Sequence, residues 1–226
     1  MTGAIYDWRT LVAPINQLFR AGDQPISGGM VAGGASYINP EPGGRGELFM
    51  EFHPLASIEA NRQASWTISR ALGGAIFRVP IYDSVQLVGA TDLGGPTGGL
   101  MWSNGQPWSN GQGWRYDPQA PVTVAALAGT TEVQVDLSGF GEVLNLGHVI
   151  GFGDVTHIVE NIDYDDSTVA TIEISPPLRA DLTTSDELRF RPVMLATISN
   201  AREFANTFTS GRHVRLGSTR FVEYFA

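Results

Sequence analysis

The sequence predicts a mainly β protein with a single α-helix, divided into two domains. Three observations lead to this prediction. Together, the 27 glycines and 13 prolines make up 40 of the 226 residues. This share is larger than the roughly 12% of an average protein, which indicates many turns. Short segments of alternating, β-branched side chains recur at regular spacing through the second half of the chain. One stretch, residues 58–72, is long, amphipathic and free of glycine and proline.

A strand followed by a helix is predicted near the middle of the first half. Residues 47–53 (ELFMEFH) alternate apolar and polar side chains, which predicts a strand with one buried face. Ser57 is a suitable N-cap for a helix over Ile58–Leu72. Gly73-Gly74 would end that helix.

Two proline-containing segments flank this strand and helix. Ala75–Tyr82 predicts a second strand, in which Pro80 indicates an edge position or a bulge. Residues 8–19 have helix-like apolar spacing, but Pro14 interrupts it, so we expect at most a short helix there.

Residues 120–195 predict a small antiparallel barrel or sandwich, because short alternating segments are separated by turn residues. The predicted strands are Val122–Leu127, Glu132–Leu137, His148–Phe152, His157–Ile162, Thr168–Ile174 and Glu187–Pro192. The remaining C-terminal residues are too apolar and aromatic to stay unpaired, so we expect them to join the N-terminal sheet. This predicts a discontinuous first domain, residues 1–114 with 196–226, and a small antiparallel β-barrel over residues 115–195.

Charge and composition exclude several classes of protein. The net charge is −9, and all 14 basic residues are arginine, so we expect no wrapping of nucleic acid, which needs clustered cations. The chain has no cysteine, which excludes disulfides, thiolate metal sites and cysteine nucleophiles. We expect neither a signal peptide nor a membrane span, because no basic segment precedes an apolar one and no apolar run is long enough.

No residue pattern predicts catalysis, a cofactor or a metal site. The four histidines have no metal-binding spacing, and the acidic turn at residues 163–166 lacks the glycine of a calcium loop. Neither a nucleophile motif nor a phosphate-binding loop is present. We therefore expect no enzymatic activity, although two carboxylates from distant segments would still suffice for a glycosidase.

A tryptophan-rich loop stands apart from the strand pattern. The near-repeat WSNGQPWSNGQGW contains Trp102, Trp108 and Trp114, and its two Asn-Gly pairs predict tight turns. Exposed tryptophans mark a local cluster or a contact surface. Two interpretations stay open: these side chains contact another subunit, or they stack on sugar rings as a carbohydrate-binding module that recognises host surface glycans.

The second half of the chain resembles the β-barrel module of minor tail proteins from long-tailed bacteriophages and gene transfer agents. The likeness lies in Pro176-Pro-Leu-Arg179, which follows one predicted strand, and in residues 188–194 (LRFRPVM), which form the next. Residues 66–77 (WTISRALGGAIF) resemble the helix-then-strand segment of the first domain of these proteins. In size and two-domain plan, the chain is most similar to the distal tail protein family.

The resemblance implies a structural protein of the virion, located at the tail tip after synthesis in the host cytoplasm. It implies a tube-like first domain, a β-sandwich or barrel, that forms a homo-oligomeric ring, usually a hexamer. The ring would connect the tail tube protein to the baseplate hub protein, and DNA would pass through it without specific binding. An acidic lumen would suit such a conduit, so we expect some carboxylates among Glu47, Glu51, Asp83 and Asp92 to face it.

Overall fold

The computed structural model describes residues 4–8, 12, 14–22, 25–30, 36–40, 44–55, 57–81, 118–165, 169–204, 206–209 and 213–225. Within these ranges the chain forms sixteen strands and one α-helix, so the prediction of a mainly β protein is confirmed. The helix α1 spans Ile58–Leu72. In chain order the strands are β1 (Ile5–Asp7), β2 (Pro14–Arg20), β3 (Pro25–Met30), β4 (Ser36–Pro40), β5 (Glu47–Phe52), β6 (Ile76–Pro80), β7 (Gln119–Pro121), β8 (Glu132–Asp136), β9 (Val149–Phe152), β10 (Val155–Tyr164), β11 (Val169–Ser175), β12 (Glu187–Arg189), β13 (Val193–Ile198), β14 (Asn206–Thr209), β15 (His213–Leu216) and β16 (Thr219–Glu223).

The described residues fall into two compact units. The first unit lies within Met1–Ile81 and Val193–Ala226, and the second lies within Tyr82–Pro192. Val193 pairs with Pro80 in the first unit, although the predicted barrel extended to residue 195. The other predicted boundary, between residues 114 and 115, lies outside the described residues.

The main sheet of the first unit has six strands in the order β1-β6-β13-β16-β5-β2. The pairing of β1 with β6 is parallel, and the four other pairings are antiparallel. Four successive reversals separate β6 from β2, so β1 and β2 run in the same direction at opposite edges of the sheet. Two antiparallel hairpins, β3–β4 and β14–β15, form separate two-stranded sheets.

One face of this sheet packs an aromatic cluster that we call the aromatic face. The Trp8 ring lies 5.2 to 6.5 Å, between centroids, from the rings of Phe52, Phe77, Phe204 and Phe221. All five side chains are buried, and the indole N–H of Trp8 donates to the carbonyl of Val12 at 2.9 Å. The cluster therefore joins the N-terminal strand, the centre of the sheet and the C-terminal strand.

Helix α1 begins and ends where the sequence predicts. The Ser57 hydroxyl accepts a hydrogen bond from the Ala60 N–H at 3.0 Å, and Gly73 is the C-cap. The buried stripe consists of the small residues Ala60, Ala64, Thr67 and Ala71. Trp66 meets the Tyr6 ring edge-to-face at 5.2 Å, which links the helix to β1.

In the first unit, the predicted short helix over residues 8–19 is wrong, and the predicted edge position of Pro80 holds only locally. Residues 14–20 form the strand β2, because they pair with β5 along most of its length and Pro14 only starts the strand. Pro80 lies on an interior strand, since β6 has β1 on one side and β13 on the other. Its missing N–H is tolerated because the ladder to β1 ends at Arg78, two residues earlier.

The second unit is a six-stranded antiparallel sheet in the order β7-β12-β9-β10-β11-β8. Five of the six predicted strands are found with small shifts, but Val122–Leu127 is wrong as a continuous strand. Val122 forms a single bridge with Val135, and Ala126 forms another with Leu182. The apolar side chains of this segment do not share a buried face, since Val122 is buried whereas Val124 is exposed, and its hydrogen-bond partners change within four residues.

A glycine pair at the end of the β2–β5 ladder yields a testable prediction. A Cβ on Gly22 would lie 1.8 Å from the Gly44 carbonyl oxygen, and one on Gly44 would lie 1.6 Å from that of Gly22. We expect Gly22→Ala to lower the free energy of unfolding by about 1–3 kcal/mol, because the backbones must separate. Gly139→Ala is the control, since its Cβ meets no atom within 4 Å. Equal urea midpoints for the two variants would contradict the close approach.

The aromatic cluster yields a second prediction. Trp8→Ala removes the ring that contacts four others, so we expect a loss of about 3–5 kcal/mol in unfolding free energy. Trp8→Phe keeps a ring and loses only the hydrogen bond to Val12 and part of the contact area, so it should cost less. Urea unfolding followed by circular dichroism measures both, and equal losses would show that the ring contacts do not stabilise the unit.

A turn in the second unit makes stability depend on pH. The N–H and hydroxyl of Thr183 donate to Asp186 at 2.7 and 2.9 Å, and these hydrogen bonds lower the pKa of Asp186. A lowered pKa in the folded state stabilises the fold above the unfolded pKa, and the gain is lost as pH falls through the folded value. We expect Asp186→Asn to lose less unfolding free energy than the wild type between about pH 5 and pH 2. Parallel pH profiles from urea titrations would refute this.

Candidate interaction surface

The sheet face opposite the aromatic cluster carries six charged side chains, and we call it the charged face. Strand alternation places them there, because their neighbours along each strand point to the aromatic face. They are Asp7 on β1, Arg20 on β2, Glu47 and Glu51 on β5, Arg78 on β6 and Arg220 on β16. Three are acidic and three are basic, so the described charges of this face balance.

Most of these charges have partners within the sheet. Arg220 donates a hydrogen bond to Glu47, and the Asn16 amide donates to Glu51 at 3.0 Å. Arg78 lies 4.0 Å from Asp7. Such exposed pairs contribute little to stability, typically below about 1 kcal/mol each. Their effect is to remove the net electric field that separate carboxylates would produce.

Phe49 lies between two arginines at the centre of this surface. The guanidinium carbons of Arg20 and Arg220 are 5.3 and 5.5 Å from its ring centroid, within the range of cation–π attraction. Leu18 is the cross-strand neighbour of Phe49 on β2. A shallow groove of about 380 Å³ runs along these residues between β2 and β5.

The β2 edge of this surface exposes two large apolar side chains. Leu18 is 52% exposed and Ile15 is 48% exposed, and among the described strands only β5 pairs with β2. Soluble proteins usually protect such an edge with charges, bulges or a covering segment. Here the bulge after Pro14 and the charge of Arg20 lie at the two ends, and between them the exposed Ile15 and Leu18 flank the polar pair Asn16-Gln17.

The predicted site residues separate into two groups. Glu47 and Glu51 lie on the same face of one strand, as expected, but arginines on neighbouring strands balance their charge. Asp83, Asp92 and the three tryptophans at 102, 108 and 114 lie outside the described residues. The sequence analysis missed Leu18, Phe49 and the arginines, since only strand pairing brings them together.

Net charge divides unevenly between the two units. The ranges of the first unit contain eight acidic residues and ten arginines, a net charge of +2. The range of the second unit contains fifteen acidic residues and four arginines, a net charge of −11. The negative net charge that led us to expect an acidic conduit therefore lies in the second unit. The charged face of the first sheet does not contribute to it.

The Pro176–Arg179 segment, one of the motifs noted in the sequence, has a packing role in the second unit. It follows β11 and precedes β12, and Leu178 is buried. The Leu178 N–H donates to Thr130 at 2.9 Å, and its carbonyl accepts from Gly129 at 2.7 Å. These bonds fasten the segment to the loop before β8.

The chain matches no protein-family model and no curated protein. Among the described residues, no three histidine or carboxylate side chains are grouped so as to hold a metal ion. In the same part of the chain, no helix has the length and apolar character needed to cross a membrane.

Proposed function

We propose that this chain is a structural protein of a phage tail tip that acts by assembly and has no catalytic role. It forms a homo-oligomeric ring that connects the tail tube to the baseplate hub and surrounds the DNA conduit. The observation that carries the proposal is the first sheet, whose two edges lack partners among the described strands and whose β2 edge exposes Ile15 and Leu18. The motif resemblance in the second unit agrees with it.

In this proposal, the contacts between copies are made by the first unit and not by the second. In the second unit, the Val122–Val135 bridge and the hydrogen bond from the Thr123 N–H to the Gln134 carbonyl join the two ends of the strand order. This supports a small closed antiparallel barrel. A closed barrel has no free edge, so edge-to-edge association falls to the tube-like first domain.

The balanced charged face suits a conduit that DNA passes without binding. A conduit wall with clustered arginines would hold the phosphate backbone, but each arginine here has an acidic or aromatic neighbour. We therefore propose that the conduit has a neutral lining, in place of the acidic lining that Glu47 and Glu51 were expected to provide. Neutrality in the first unit also removes long-range repulsion between neighbouring copies.

Self-association through the β2 edge is the test of this function. We expect the wild type to form an oligomer of defined mass in size-exclusion chromatography with light scattering. Leu18→Glu places a charge at the middle of the edge and should leave monomers with unchanged circular dichroism. Leu127→Glu is the matched control, because Leu127 is 72% exposed but lies in the second unit.

Two outcomes would contradict the proposal. A wild type that stays monomeric at its highest soluble concentration argues against a ring. An oligomer that appears in electron micrographs as filaments or compact dimers, without a central channel, argues against a conduit. Labelling this protein on intact particles tests the tail-tip position separately from ring formation.

A further inference from the structure

Glu47 lies between two arginines on the charged face. Arg20 is its direct cross-strand neighbour on β2, and Arg220 on β16 donates a hydrogen bond to its carboxylate. The Glu47 side chain is 16% exposed, whereas that of Arg220 is 47% exposed, and Arg20 is exposed as well. The guanidinium groups are therefore open to solvent, and the carboxylate lies deeper in the same surface.

Phe49 draws the two guanidinium groups toward one ring. Their carbons lie 5.3 and 5.5 Å from its centroid, within the range of cation–π attraction. Arginine side chains that are already ordered lose less entropy on binding, and a guanidinium can contact a phosphate through two parallel N–H groups. Without a neighbouring carboxylate, such a pair would attract the backbone of a nucleic acid.

We propose that Glu47 is the residue that prevents this arginine pair from binding the phosphates of nucleic acid. The inference rests on the proposed conduit function and names the side chain that keeps DNA from adhering to the charged face. The Glu47 carboxylate accepts a hydrogen bond that Arg220 would otherwise donate to a phosphate. Its charge also offsets that of Arg20 across the β2–β5 ladder.

A role in stability alone explains this arrangement less well. An exposed ion pair usually contributes less than about 1 kcal/mol, and backbone ladders to β2 and β16 already hold β5 in place. Glu51 lies on the same face of β5, but it accepts a hydrogen bond from the Asn16 amide. Of these two carboxylates, Glu47 is the one in contact with an arginine.

Binding of a fluorescently labelled DNA duplex of mixed sequence, measured by anisotropy at low salt, tests this role. Glu47→Gln keeps the size of the side chain and removes its charge. We expect this variant to bind the duplex about five-fold more tightly than the wild type, the effect of removing one unit charge a few ångströms from a phosphate in water. Its affinity should fall as salt rises, with a logarithmic slope of about 0.9 for each phosphate neutralised.

Three further variants show whether the gain belongs to the arginine pair. Glu132→Gln changes the net charge equally but lies on β8 of the second unit, so it should give no comparable gain. Glu51→Gln should give a smaller gain than Glu47→Gln, because Glu51 bonds to an amide. Adding Arg20→Gln to Glu47→Gln should remove the gained affinity. Circular dichroism and urea midpoints verify that each variant is folded.

The outcomes separate this inference from the proposed ring. A wild type that binds the duplex as tightly as Glu47→Gln, or an equal gain in Glu132→Gln, overturns the role of Glu47. A folded Glu47→Gln variant without any gain overturns it as well, and none of these results changes the oligomer measured by light scattering. A gain that is largest in Glu47→Gln and is removed by Arg20→Gln supports the proposal, even for a chain that stays monomeric.

Discussion

The antiparallel pairing of β6 with β13 is the constraint on which the rest of the structure depends. It sets Pro80 directly opposite Val193, so the chain leaves the first unit and returns to it at neighbouring positions. An inserted segment with adjacent ends leaves its host sheet undisturbed. The N-terminal and C-terminal strands then meet in one sheet, and Trp8 reaches Phe204 and Phe221 in the aromatic cluster.

The same insertion divides the net charge of the protein unevenly between the two units. The first unit is close to neutral, and the second carries the whole acidic excess. Copies that associate through a neutral sheet avoid the repulsion that a uniform charge would cause, while an acidic second unit favours solubility. In the proposed assembly, the first sheet makes contacts between copies, and the second unit, with its strand order joined at both ends, stays free of them.

Much of the fold could be predicted from the sequence where local signals decide. Helix α1 follows from Ser57, from the absence of glycine and proline and from the terminal Gly73, all of which act within one turn. Strand β5 and most strands of the second unit follow from alternation, because one face is buried. The candidate surface was predicted only for Glu47 and Glu51, since charged residues on a single strand can be assigned to one face.

The sequence by itself therefore determined the mainly β class, the helix and its ends, and which residues of the clear strands are buried. Tertiary structure alone decided that residues 14–20 form an edge strand, that Pro80 lies inside a sheet, and that Val122–Leu127 changes partners. It also decided that Glu47 meets Arg220, 173 residues away. The physical reason is that a helix forms its backbone hydrogen bonds within one segment. A strand forms them with segments that are distant in the chain, and these segments also determine its position in the sheet and the charges that lie beside it.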